Sequence, residues 1–103
     1  MKKLPTRLDL KFYKGRKENP SGIVAYQNGG DFIILKFGKP AYDGKQVYFY
    51  DYESAGKQHV EKMKELALKG IELNTYKNQH GDIDYSAYWD DKKKRFELRK
   101  ELA

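Results

Sequence analysis

Cysteine is absent from the chain, so neither a disulfide framework nor a cysteine–zinc site can hold it together, and the composition suits a reducing compartment. Long apolar runs are missing as well. Hydrophobic residues make up 39% of the sequence and are interrupted throughout by charge. No stretch approaches the roughly 20 apolar residues of a membrane-spanning helix. The basic opening Met1-Lys2-Lys3-Leu4-Pro5-Thr6-Arg7 is not followed by the apolar segment of a secretory signal. A glycine-rich phosphate cradle is also lacking, because Asn28-Gly29-Gly30 lies between two strand-like runs and not at a strand-to-helix turn. These absences together predict a soluble, cytoplasmic protein without a membrane partner.

What the chain has in quantity is charge and aromatic rings. Charged residues account for 35% and aromatic residues for 15% of 103 positions. The large area buried by each ring compensates for the low aliphatic content, so a single globular domain spanning residues 1–103 is expected. The net charge of +6 is unevenly spread. Lys2, Lys3, Arg7, Lys11, Lys14, Arg16 and Lys17 near the start face only Asp9 and Glu18. Lys92, Lys93, Lys94, Arg95, Arg99 and Lys100 near the end face Glu97 and Glu101. Between them, Glu72, Asp82, Asp84, Asp90 and Asp91 outnumber Lys77. Such a balance favours polyanionic partners, and lysine-rich ends also serve solubility.

Periodicity organises the rest. "RLDLKFY" alternates Leu8, Leu10 and Phe12 against Asp9, Lys11 and Tyr13, as a half-buried strand does. Two β-rich runs flank Asn28-Gly29-Gly30, residues that accept the positive φ of a tight hairpin. In the second run Ile33, Leu35 and Phe37 share one face and Phe32 and Ile34 the other, which predicts a central strand covered on both sides. "QVYFY" is a further strand after the turn-rich loop 38–45. A helix is predicted over about residues 54–69, capped by Asp51 or Ser54 and ended by Gly70. Its apolar stripe is Ala55, His59, Val60, Met63, Leu66 and Ala67, and Lys57/Glu61 and Glu65/Lys69 are spaced for ion pairs. "IELNTY" reads as a strand directly after it. "IDYSAYW", with Ile83, Tyr85, Ala87 and Trp89 in phase, and "RFELR" read as a hairpin turning at Asp90 to Lys94; a terminal helix over 91–102 would separate Phe96 from Leu98. The expected class is α+β, a mostly antiparallel sheet with one helix on a face.

Catalytic chemistry has little support in this pattern. His80-Gly81-Asp82-Ile83-Asp84 contains metal-ligand types but no second histidine nearby, so a solvated acidic turn is expected and no metal or cofactor. His59, alone on the apolar helix stripe, reads as a hydrogen-bonded packing residue. Small basic ribonucleases and messenger-RNA-cleaving toxins use His, Tyr, Lys and Arg in domains of this size. Here no spacing joins a base, an acid and a phosphate clamp, and a non-enzymatic role is expected.

The tyrosines carry the functional expectation. In "VYFYDY" Tyr48, Tyr50 and Tyr52 alternate with Val47 and Phe49. Val47 and Phe49 are expected to face the helix, leaving Tyr48 and Tyr50 on an open sheet face, joined by Tyr26 and bordered by Lys36 and Lys45. Rings on an open face, ringed by cations, form a stacking platform for unpaired bases. The alternative is plain sheet packing, which tyrosine also favours. Lys92, Lys93, Lys94, Arg95, Arg16 and Lys17 are the expected phosphate contacts.

The stretch also resembles a family. Tyr48-Phe49-Tyr50 is similar to the central Tyr-x-Tyr of the small KTSC domain, found at the C-terminus of some lysyl-tRNA synthetases. Ser21-Gly22-Ile23 to Phe37 resembles its hairpin, and Ala67, Gly70 and Asn74 its ending, over residues 21–77. Asp51-Tyr52-Glu53 replaces the family's valine-proline entry to the helix, and the loop Gly38–Lys45 is an insertion. The resemblance implies an RNA-binding role. A binding module for RNA or single-stranded nucleic acid is therefore the leading expectation. A protein–protein module, such as a phage or mobile-element accessory or inhibitor protein docking on a larger partner, is the alternative, since tyrosine also dominates protein interfaces.

Overall fold

A computed structural model describes residues 4–18 and 22–99 of the chain. Among them six strands pair in chain order as one antiparallel sheet: β1 (Lys11–Phe12), β2 (Ile23–Asn28), β3 (Phe32–Phe37), β4 (Val47–Asp51), β5 (Ala87–Asp90) and β6 (Arg95–Leu98). Three helices, α1 (Tyr52–Ala55), α2 (Lys57–Lys69) and α3 (Leu73–Gln79), fill the connection from β4 to β5, and a 3-10 helix, Lys14–Glu18, lies between β1 and β2. The class is α+β as expected, with three α-helices in place of one. No helix of the described residues is long and apolar enough to cross a membrane.

The core lies on both faces of the sheet. On one face Ile23, Tyr26, Ile33, Leu35 and Tyr50 pack under Val60, Met63, Leu66, Ala67 and Leu73 of the helices. On the other, Ile34, Val47, Phe49, Ala87 and Phe96 are covered by Leu4, Leu8 and Leu10, with Phe32 and Trp89 at the margin. β3 is the covered central strand that its sequence predicts: Ile33, Ile34 and Leu35 are all fully buried. The orientation of β4 is the reverse of the expected one. Residues directly opposite in antiparallel strands share a face, and Tyr50 is paired with Ile33, Tyr48 with Leu35, and Phe49 with Ile34. Tyr48 and Tyr50 therefore lie on the helix side, and Val47 and Phe49 on the far side. Alternation separates the two rows but cannot say which row meets the helix. Tyr26 shares the tyrosine face through its pairing with Leu35. A register shift between Ile23 and Ala25 lets both Ile23 and Tyr26 point that way.

Local chemistry sets the helix ends. Asp51 caps α1: its carboxylate accepts from Ser54 N (3.0 Å), and Ser54 Oγ accepts from Asp51 N (3.2 Å). Such a reciprocal pair satisfies two otherwise orphaned donors. Gly56, at φ 93°, breaks the expected single helix into α1 and α2, a conformation costly for other residues. Gly70, at φ 72°, ends α2 as expected, and its N–H donates to Leu66 O (2.9 Å). The Glu65–Lys69 pair forms at 3.1 Å, whereas Glu61 pairs with Lys64 (3.0 Å) and accepts from Tyr52 Oη (2.8 Å) in place of pairing with Lys57.

The strand predicted at "IELNTY" is α3. Glu72 turns the chain in the left-handed region (φ 60°), and Leu73 is then fully buried. Tertiary bonds fix α3 to the sheet: Leu73 N donates to Tyr13 Oη (3.0 Å) and Ile23 N donates to Asn74 Oδ1 (2.8 Å). Two strand phases also change. Phe12 is exposed and Tyr13 buried, and Ile83 packs with the helix-side cluster while Ala87 joins the far one. The single alternation from Ile83 to Trp89 thus breaks where Ser86 N bonds Phe49 O (2.9 Å). The hairpin at Asn28-Gly29-Gly30 forms without positive φ; a Cβ at Gly29 would sit 2.2 Å from the Phe32 ring. The β5–β6 hairpin forms as expected over 87–98; residues 100–102 lie outside the described residues.

An antiparallel meander puts alternate connections at the same end of the sheet. The 3-10 helix with Lys14, Arg16 and Lys17, the loop 38–46 with Lys39 and Lys45, and the turn 91–94 with Lys92, Lys93 and Lys94 therefore share one end.

Candidate functional site

At that basic end, the tyrosine face runs out from under the helices into a pocket of about 320 Å³, lined by Phe37, Lys39, Ala41, Lys45, Tyr48, Tyr50, Lys77 and Tyr85. The volume falls within the range of small-ligand sites. Tyr50, buried, forms its floor and Tyr48, half-buried, its wall. The Tyr48 ring meets Tyr85 edge-on at 4.9 Å and Phe37 at 5.8 Å between centroids. Lys77 comes from α3, with Nζ 5.6 Å from the Phe37 centroid and 5.7 Å from that of Tyr50. These are cation–π distances. Lys45 Nζ lies 4.6 Å from the Tyr88 centroid and 3.0 Å from Asp43. No carboxylate belongs to the lining.

Burial shifts the ionisation of these groups. Desolvation lowers the pKa of Lys77, since its ammonium has given up water for ring faces, and nearby Asp84 opposes this. Desolvation raises that of Tyr48, and raises that of the more deeply buried Tyr50 much further. The hydrogen bond to Asp43 raises that of Lys45. A desolvated ammonium beside polarisable rings, with no lining carboxylate, is electrostatically poised for an anion that brings its own flat apolar group.

The open platform expected from the sequence is not what forms. Tyr26 is 8% and Tyr50 3% exposed, so neither offers a free ring face. Tyr48, Tyr50 and Lys45 are brought together, but in a pocket; Tyr26 and Lys36 are not among its lining residues. Arg16 stacks on Phe12 (4.9 Å) and donates to Tyr13 O (3.1 Å), and Lys17 is exposed. In the β5–β6 turn, Lys93 and Arg95 pair with Glu97 (3.3 and 2.9 Å) and Lys94 pairs with Asp91 (3.1 Å); Lys92 is exposed. Lys77 was not legible as a site residue because the helix that carries it, α3, reads as a strand up to Tyr76, and Phe37 and Tyr85 read as ordinary sheet positions.

A second cluster lies on α3 and α2. His59 Nδ1 is 2.8 Å from Tyr76 Oη, and His59 Nε2 is 3.1 Å from Asp82 Oδ2. His80 completes it, with its ring 4.8 Å from that of His59 and 4.3 Å from that of Tyr76. The hydrogen bond from His59 holds the Asp82 carboxyl below its ordinary pKa. His59 makes hydrogen bonds as expected, but it also supplies the second histidine that the His80-x-Asp82 segment lacks in sequence. Tyr76 on α3 and His80, four residues on at its C-cap, were the spacing that could have exposed this grouping.

Comparison with protein-family models, curated proteins and solved structures finds no match to this chain.

Proposed function

We propose that the chain is a non-enzymatic module that binds RNA or single-stranded nucleic acid through the lysine-edged aromatic pocket. The observation that carries this reading is the convergence of Lys39, Lys45 and Lys77 on Phe37, Tyr48, Tyr50 and Tyr85 without an acid in the lining. An unpaired base packs its edge and face against Tyr48, Tyr85 and Phe37, and its phosphate meets the lysines. Lys92, Lys93, Lys94, Arg16 and Lys17, from connections at the same end of the sheet, extend the positive field along the strand. The resemblance to the KTSC domain implies the same class of ligand, and a cysteine-free chain suits the cytoplasm, where such ligands are found.

One observation favours a protein partner as a second reading. The two edge strands each expose a large apolar residue, Phe12 (76%) on β1 and Leu98 (54%) on β6. An edge of this kind can accept another chain.

Fluorescence anisotropy with a labelled unpaired oligonucleotide, titrated at several salt concentrations, tests the proposal. Saturable binding that weakens with salt, and that Lys77→Gln weakens without lowering the melting temperature, supports it. No saturable binding at low salt sinks it. A native-lysate pull-down with and without nuclease then separates the readings: a stoichiometric protein retained after nuclease treatment favours the edge strands.

A further inference from the structure

His59, His80 and Asp82 come from three places, the first turn of α2, the residue after α3 and the turn that follows. Each offers one ligand-type atom, and these atoms all lie within 4.8 Å of one another. We propose that these three residues form a binding site for a divalent transition-metal ion of the zinc type. The site is separate from the aromatic pocket and independent of the function proposed for it.

The donor set fits that ion class. Two imidazoles and one carboxylate are borderline ligands, which suit zinc and its neighbours and not the hard, all-oxygen shells of magnesium or calcium. Bond lengths of about 2.0–2.1 Å around a tetrahedral ion bring ligand atoms to within roughly 3.4 Å of each other. His59 Nε2 and Asp82 Oδ2 already stand at 3.1 Å. The remaining closure falls to His80, at the end of its helix, and to Asp82, whose side chain is 74% exposed. Three protein ligands then leave the fourth position to water, the arrangement of an open zinc site.

The surroundings orient the least mobile ligand. His59 is 17% exposed and lies in the first turn of α2, beside the fully buried Val60. Before a metal binds, Nε2–H donates to the Asp82 carboxylate (3.1 Å) and Tyr76 Oη stands 2.8 Å from Nδ1. A metal ion takes the place of the Nε2 proton, and Tyr76 Oη then accepts from Nδ1–H. A hydrogen-bonded partner on the far ring nitrogen commonly orients a metal-bound histidine.

The test uses tag-free full-length protein dialysed against chelator, titrated with zinc chloride in a calorimeter. One zinc per chain is expected. His80→Gln and Asp82→Asn, changes at the rim that circular dichroism should show to be folded, are each expected to weaken binding at least about tenfold, the scale on which even outer partners of a metal matter. Excess magnesium should not displace the zinc. Histidine-ring ¹⁵N spectra at saturation should show His59 bound through Nε2 and protonated at Nδ1, and Tyr76→Phe should loosen that tautomer preference. The proposal is overturned by the absence of saturable binding, by variants that bind like the parent, by displacement with magnesium, or by His59 ring resonances that zinc leaves unmoved.

Discussion

The two faces of β4 carry aromatic rings one residue apart in sequence and set them to different work. On the far face Phe49, 2% exposed, lies 4.9 Å from Phe32 and 5.8 Å from Phe96 between ring centroids, closed over by residues near the start of the chain. On the helix face the row grades from core to water. Tyr50 is as buried as Phe49, Tyr48 is half-buried, and Tyr85 and Lys77 then open the pocket. The difference follows from what covers each face. The helices bury the sheet at Ile33 and Tyr50. Beside Phe37 and Tyr48 only Lys77 of α3 borders the face and the pocket opens, so the Tyr48 ring packs while its hydroxyl end stays near water.

The largest way to break the comparison is truncation in depth. Phe49→Ala should cost about 3–5 kcal/mol in urea denaturation, and Tyr50→Ala should fall in the same range, because both rings are enclosed. If Tyr50→Ala melted like the parent, the helix face would not be a core at that level.

Tyr48→Ala sharpens the contrast between packing and binding. Its half-buried ring should cost only about 1 kcal/mol of stability, yet the same change should weaken oligonucleotide binding about tenfold, the worth of one stacked base. Anisotropy and a melting curve on one preparation measure both. Equal affinity in the folded variant removes Tyr48 from the site.

A smaller effect lies at alkaline pH. Burial raises the pKa of Tyr50 above its unfolded value of about 10, so the unfolded chain releases this proton first. The stabilising contribution is whole below about pH 10 and is lost as pH rises further. Lys77 acts in the opposite sense, since burial lowers its pKa and favours the native state as it discharges. The clean readout is therefore the difference from Tyr50→Phe, whose melting temperature should fall less between pH 9 and pH 11 than that of the parent, values chosen to bracket the free phenol.

The smallest effect on stability is expected from replacing Lys92, Lys93 and Lys94 together by Ala. These exposed side chains should change unfolding free energy by no more than about 0.5 kcal/mol. Each lysine that touches phosphate should instead remove about 0.7 from the slope of log affinity against log salt. An unchanged slope would show that the turn takes no part in binding.

Sequence by itself determined most of the local structure. The turn at Asp90 to Lys94, the Asp51 cap and the Gly70 stop act through neighbours in the chain and lie where their chemistry predicts. The hairpin at Asn28-Gly29-Gly30 lies where predicted but without positive φ. Alternation likewise separated Tyr48 and Tyr50 from Val47 and Phe49. Tertiary structure decided which row met the helices, because both are apolar enough to be buried and only the register against β3 and the cover from Leu4, Leu8 and Leu10 distinguish them. It also made "IELNTY" a helix. Leu73 and Asn74 bond and bury against Tyr13 and Ile23, about 50–60 residues away, and contacts that distant leave no local period to read. α3 contributes to both candidate sites, setting Lys77 over the tyrosines and Tyr76 beside His59.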